Sequence, residues 1–239
     1  MRKRAVTCSP QVTSRLSVYL RLLTRLENDG VETISSRALA DELQLKPSQI
    51  RKDLAYFGGF GTRGVGYRVA ELRRALRRIL GVNRTIGLIV VGAGRLGRAL
   101  ADYPGFNREG LEIVALFDVD PAKVGERVRA DVSVHHLDRL EEVCASLAPE
   151  IAIVAVPPAA ARMVAREVVR VGIRAILNFA PVGLDVPPGV KVNDVDLKSE
   201  IDTLSFFLKR MHSEQEWNEP AAVSDPSGRL AADLTLPTG

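Results

Sequence analysis

The spacing of apolar residues changes character near residue 84. Before it, Val12, Leu16, Leu20, Leu23 and Leu26 recur at helical intervals, in a run that Ser9-Pro10 can start and Asn28-Asp29-Gly30 stops. Ser35-Ser36 ahead of residues 37–43 predict a second, serine-capped helix, and Lys46-Pro47 closes the turn after it. Pro47, suited to a first helical position, opens a third helix in which Ile50, Leu54 and Phe57 share one face. Ser48, Gln49, Arg51, Lys52 and Tyr56 remain on the others. Residues 58–67 are dense in glycine yet end in an alternating Val-Gly-Tyr-Arg-Val, the pattern of a hairpin with Arg63 at its tip. A fourth helix, 70–80, displays Arg73, Arg74, Arg77 and Arg78, and Gly81-Val82-Asn83 reads as a boundary.

After the boundary, short apolar runs alternate with helical patterns. Strands are predicted at 88–91, 111–117, 132–134, 151–156 and 174–177, and helices at 96–103, 137–147 and 159–171. This alternation predicts an α/β domain built on a doubly wound parallel sheet. A last helix from Asp196 to Met211 carries Ile201, Leu204, Phe207 and Leu208 as a stripe beside Phe206. Core packing explains such a stripe, but the sheet is already covered, so docking on a second subunit is the other reading. The expected division is 1–84, 85–195, 196–212 and a disordered tail at 213–239, where proline, glycine, alanine and acids replace the periodicity.

Charge separates the same segments. Net charge is +4, but residues 1–84 hold 17 Lys/Arg against 7 Asp/Glu, and residues 85–239 hold 16 against 22. A basic first part points to a polyanionic partner, because Lys and Arg that neutralise phosphates release condensed counterions. Two short helices joined by a turn, the second basic near its start, match a helix-turn-helix. Arg51 and Lys52 would reach guanine edges or phosphates, Ser48 and Gln49 would add hydrogen bonds, and Arg63 on a wing would enter a narrow minor groove. Cys8 and Cys144 lack metal-ligand spacing, no apolar stretch is long enough to span a bilayer, and no signal-peptide core follows the basic start. A cytoplasmic, metal-free protein whose first residues form a mobile arm is expected.

The candidate chemistry lies in GLIVVGAGRLG, residues 87–97. Gly92 would allow the tight turn out of a strand, Gly94 the approach of a pyrophosphate, and Gly97 close packing of the next helix. Backbone amides of Ala93, Arg95 and Leu96 at the helix start would hold phosphates. Asp118 ends the second strand at the distance expected of a ribose-binding acid, and its charge favours NAD over NADP, a preference that Lys123 could soften. Ligands in such sheets lie at strand carboxyl ends, which selects Pro157, Asn178, Phe179 and Ala180 for the nicotinamide side, with plain strand-end packing as their alternative role. A dehydrogenase would add a proton donor. No Tyr-x-x-x-Lys pair exists, and the histidines are His135, His136 and His212. An NAD-dependent oxidoreductase and a DNA-binding protein with a purely structural nucleotide site remain the alternatives.

IRKDLAYFG, GTRGVGY, VGAGRLG with ADYPGF, FDVDP and ILNFAP together resemble the Rex family of bacterial redox-sensing transcriptional repressors, over about Pro10 to Met211. The resemblance implies a winged helix-turn-helix domain followed by a Rossmann-like domain and a C-terminal helix exchanged between two subunits. It implies a homodimer that holds palindromic operator DNA when free or bound to NAD⁺, and leaves it when NADH binds. It also implies a latch: Arg15 matches an arginine that pairs with an acid matching Asp196 in the DNA-competent form, and Tyr103 matches the tyrosine that takes this acid in the reduced form. Where some relatives have an aromatic residue after the acid, this chain has Leu197, which would offer the nicotinamide only apolar contact.

Overall fold

The computed structural model describes residues 9–106 and 110–218, with side chains as far as Met211. Through Val195 the described chain forms one compact unit, and from Asp196 onward a second.

The first unit begins with a helical cluster. α1 (Pro10–Asn28) is capped by Ser9, whose hydroxyl accepts from Val12 N–H, and buries Leu16, Tyr19, Leu20, Leu22 and Leu23. β1 (Thr33–Ile34) leads into α2 (Ser36–Leu43), where Ser35 accepts from Ala38 N–H, and α3 (Pro47–Ala55) follows with proline in its first turn. β2 (Tyr67–Arg68) pairs antiparallel with β1 and leads into α4 (Val69–Ile79). Leu39, Ile50, Leu54, Val69, Leu72 and Leu76 close this core against α1.

β3 (Ile86–Val91) opens the sheet, followed by α5 (Arg95–Asp102), β4 (Leu111–Asp118), β5 (Arg127–Arg129) and β6 (Val132–His136). α6 (Leu140–Leu147), β7 (Ile151–Val154), α7 (Pro158–Arg170), β8 (Ala175–Asn178) and β9 (Lys191–Asp194) complete it. The strand order is β5-β6-β4-β3-β7-β8-β9, parallel throughout except for β5. Separate apolar clusters cover its two faces, as a doubly wound sheet requires. Successive connections from β3 run to β4 on one side and later to β7 on the other, so the topological switch point lies between β3 and β7. Arg84, just ahead of β3, forms a two-pronged ion pair with Glu150 at the start of β7.

Four expectations need correction. The sheet has two more strands than the apolar runs predict: β5 (ArgValArg) and β9 (LysValAsnAsp) each carry one apolar residue and are held by backbone pairing at the edges. The strand expected to reach Val156 stops at Val154, because Pro157 and Pro158 begin α7. The helix predicted from Leu137 starts as a 3-10 turn, Leu137–Arg139. Finally, α8 (Leu197–Asn218) runs past the boundary placed at 212, since Glu and Gln sustain a helix without an apolar stripe. Of the tail expected from 213, residues 219–239 lie outside the described residues, as do the arm at 1–8 and Cys8.

Candidate cofactor site and nucleic-acid interface

The glycine turn lies at the switch point. Gly92 leaves β3 with φ +105°, and a Cβ there would stand 2.3 Å from the Ala155 carbonyl oxygen beyond β7, so only glycine fits. A Cβ on Gly97 would stand 1.8 Å from the Gly92 carbonyl oxygen, which is how closely the first turn of α5 packs on the strand end. A Cβ on Gly94, by contrast, would meet nothing within 4 Å. The backbone is therefore bare on the side where a phosphate would approach. Gly94 caps α5 without a side chain, and the amides of Arg95, Leu96 and Gly97 occupy the first turn, where no intrahelical acceptor precedes them. A pyrophosphate fits this cradle in both charge and space.

Asp118 does more here than sequence assigns to it. Its Oδ2 accepts from Ala93 N–H at 2.8 Å and from Lys123 Nζ at 3.0 Å, and its Oδ1 accepts from Asp120 N–H at 2.9 Å. The acid thus ties β4 to the glycine turn. Partial burial works against its charge, but the hydrogen bonds from Asp120, Lys123 and Ala93 outweigh that and hold the carboxyl below its usual range. Arg98 braces the turn from the helix side, donating from Nε to the Ala93 carbonyl at 3.0 Å while pairing with Glu126.

At the same sheet edge, Val91, Val154 and Asn178 are in register across β3, β7 and β8. Pro157 is exposed at the start of α7, Phe179 is half-buried and Ala180 buried. Asn178 departs from its expected place facing a ligand. It is 0% exposed, its Nδ2 donates to Ala180 O, Val182 O and Asp194 Oδ1, and its Oδ1 accepts from Ala180 N–H. It shapes the loop after β8 and offers no polar atom outward. Tyr103 is exposed after α5 with its ring edge-on to Phe106 at 5.3 Å. In the second unit, Asp196 Oδ1 accepts from Lys198 and Ser199 N–H and starts α8, which exposes Leu197, Ile201, Leu204, Phe206, Phe207, Leu208 and Met211.

The basic face of the first unit is built from α3 and the turn before β2. Ser48, Arg51, Lys52, Tyr56 and Arg63 are exposed, and Arg51 donates to Ser36 Oγ at 3.0 Å. Tyr56 stacks edge-on against Phe57. The wing is a five-residue hairpin in which Thr62 and Gly66 exchange backbone hydrogen bonds of 2.8 and 3.0 Å. Gly66, at φ +98°, packs so close to β1 that a Cβ would stand 2.5 Å from the Ile34 carbonyl oxygen. Arg63 sits at the exposed tip.

One more expectation changes. Gln49 turns inward, donating to Asp53 Oδ1 at 2.8 Å. Arg15, the residue expected to pair with Asp196, forks onto Asp53, with Nε and Nη2 at 2.6 and 2.8 Å. A buried carboxylate presenting two oxygens in one plane matches the fork of the guanidinium. Asp53 itself was missed, although its place between Ile50 and Leu54 on the apolar face of α3 was a visible signal. Elsewhere, Cys144 is buried and its thiol pushed up to about 11, and His135 is lowered by burial and by Arg139. Among the described residues no cluster could hold a metal ion, and no helix is long and apolar enough to cross a membrane.

Sequence families divide the chain in the same order. A putative DNA-binding protein N-terminus family matches residues 8–55, and a CoA binding domain family matches residues 83–182. The redox-sensing transcriptional repressor Rex of Thermus thermophilus is 52% identical over 195 residues, covering 82% of this chain and 91% of that protein. The chain belongs to the Rex family. The Rex of Pelotomaculum thermopropionicum is 45% identical over 206 residues, 86% of this chain and 96% of that one. Among solved structures, the Rex-family repressor RSP in complex with β-NAD⁺ and operator DNA superimposes with a TM-score of 0.81 at 37% identity, covering 89% of this chain and 99% of that one. RSP in complex with β-NADH gives 0.78 at 36%, covering 88% and 99%. Membership in a family of repressors sets the oxidoreductase alternative aside and accounts for a glycine turn without catalytic groups.

Proposed function

We propose that this Rex-family chain represses transcription as a cytoplasmic homodimer whose two winged helices hold a palindromic operator and let go when NADH occupies the glycine turn. The observation that carries this reading is the presence, in one compact unit, of an exposed basic helix with its wing and a bare phosphate cradle tied to an acid. The first binds a polyanion; the second binds a dinucleotide. Arg51 and Lys52 read base edges in the major groove, Ser48 and Tyr56 contact the backbone, and Arg63 enters the minor groove. Gly92, Ala93, Gly94, Arg95, Leu96 and Gly97 hold the pyrophosphate, Asp118 the adenosine ribose, and Pro157, Phe179 and Ala180 border the nicotinamide.

Seven exposed apolar side chains on one helix are costly in water, which supports a second copy of the chain as the partner of α8. The reduced-state latch is assigned to Tyr103 and Asp196, with Leu197 as an apolar neighbour. In the DNA-competent form Asp196 is assigned to Arg15, which Asp53 also holds. The test is retardation of a palindromic A·T-rich duplex by the purified protein, titrated with each cofactor. Micromolar NADH should release the duplex while NAD⁺ does not. Binding indifferent to both would refute sensing and leave a structural nucleotide site.

A further inference from the structure

Asp53 lies on the helix assigned to DNA reading, yet its side chain points away from the exposed face. It is 2% exposed and accepts four hydrogen bonds: Arg15 Nε at 2.6 Å, Arg15 Nη2 at 2.8 Å, Tyr19 Oη at 2.8 Å and Gln49 Nε2 at 2.8 Å. The first three come from α1, one turn apart, and the fourth from the preceding turn of α3. A forked guanidinium fixes the plane of a carboxylate as well as its position, and a second donor from the same helix removes the remaining rotation. Apolar contacts around Ile50 and Leu54 hold α3 against α1 but are indifferent to small rolls. Four directional bonds are not.

The roll matters because the reading groups are long. An extended arginine tip lies about 9 Å from the helix axis, so a roll of about 20° displaces it by about 3 Å, beyond hydrogen-bond reach of a base edge. We propose that Asp53 is a positioning residue for operator reading: with Arg15 and Tyr19 it fixes the roll of α3 on α1, and by holding Gln49 inward it leaves base recognition to Arg51 and Lys52. The inference rests on the DNA-binding reading above and adds a group that never touches the nucleic acid.

The test compares affinity for operator and for scrambled duplex, by fluorescence anisotropy, in the full-length wild type and in Asp53→Asn, Arg15→Lys and Gln49→Met, with thermal melts and NADH titrations alongside. Asp53→Asn should melt lower. While folded, it should lose roughly tenfold or more in operator affinity, the worth of a bidentate base contact. Scrambled-duplex affinity should stay within about twofold, because phosphate contacts tolerate a roll. NADH affinity should not move. Arg15→Lys, which keeps the charge but cannot fork, should fall between. Gln49→Met should keep the wild-type preference at every operator position.

A folded Asp53→Asn variant with the wild-type operator-to-scrambled ratio would reduce the cluster to a stability role and overturn the proposal. So would a Gln49→Met variant that loses preference at one base pair. If Asp53→Asn is unfolded at the assay temperature, Tyr19→Phe decides, since it removes one bond and no charge: a lowered ratio supports the proposal and an unchanged one overturns it. If the wild type itself prefers no operator, the DNA-binding reading fails and this inference falls with it.

Discussion

Replacing Asp118 with alanine separates the duty the structure gives that residue, holding the glycine turn, from the ribose contact proposed for it. Removing the carboxylate leaves the fully buried Ala93 amide without its acceptor, at a cost of about 1–3 kcal/mol. The Asp120 amide and the Lys123 ammonium also lose a partner, but both sit nearer to water, and such a partly exposed pair is worth about 0–1 kcal/mol. A total of about 1–4 kcal/mol corresponds, for a domain of this size, to a melting point lower by about 2–16 °C. The cofactor loses more than stability: hydrogen bonds to a charged acceptor are worth about 1.5–3 kcal/mol, so NADH affinity should fall roughly 10- to 150-fold, and NAD⁺ affinity in parallel.

Calorimetric melts and isothermal titration measure the two effects on one sample. Lys123→Ala is the control, because it removes the surface pair and spares the Ala93 bond; its melting point should move by less than about 4 °C. An Asp118→Ala protein with wild-type affinity and a melting point within about 1 °C of wild type would refute both the ribose assignment and the idea that this acid holds the glycine turn.

Three further outcomes follow from the same geometry. Arg63→Ala should weaken operator binding, lower the slope of log affinity against log salt by about 0.9 if its contact is electrostatic, and leave NADH affinity unchanged; an unaltered slope and affinity would remove the wing from the interface. Phe207→Asp on α8, where the ring is 59% exposed, should shift sedimentation from dimer to monomer without changing helical content, and a dimer that persists would place the interface elsewhere. Asp53 and Asp118 both carry carboxyls held below their usual range, in each case because donated hydrogen bonds outweigh burial. A lowered folded pKa contributes stability that is complete above the unfolded value, near 4, and is lost as pH falls through the folded one. Stability should therefore be flat from neutrality to about pH 5 and fall below about 4, and Asp53→Asn should flatten that fall; a decline that begins near pH 6 would point to histidine instead.

Sequence made the glycine turn legible because each glycine answers a local steric demand, and Gly92 and Gly97 meet those demands in the structure as single close approaches to backbone oxygens. The helix starts were legible for the same reason: Ser9 and Ser35 cap within three residues of themselves. What sequence hid depends on partners far along the chain. Gln49 looked like a reading group because its polar side chain follows the helix start, but Asp53 and, through it, Arg15 at a separation of 38 residues turn it inward. Asn178 ends an apolar run, as a ligand-facing residue would, yet Asp194 of a strand that apolar spacing does not reveal takes its amide. Edge strands such as β5 and β9 are held by the backbone of their neighbours, and no side-chain pattern records that.

The two halves of the cofactor site carry different obligations. The glycine turn and Asp118 are assigned to the pyrophosphate and the adenosine ribose, which are the same in NAD⁺ and NADH, so on that assignment these residues set affinity without setting preference. Preference has to come from the nicotinamide end, where one form carries a positive ring and the other a neutral one. The neighbours assigned there, Pro157, Phe179 and Ala180, bring no compensating anion, and burying an unpaired charge among apolar groups costs several kcal/mol. Turning a 99:1 population to 1:99 is a separate demand: NADH must bind the state that releases DNA more tightly than the state that holds it by about 5.5 kcal/mol in total, about 2.7 for each of two sites. By reciprocity the operator must weaken NADH binding by that same amount. Substitutions at Asp118 should then scale the cofactor concentrations needed while keeping the ratio at which the repressor lets go. Substitutions at Phe179 or Ala180 should move the ratio itself.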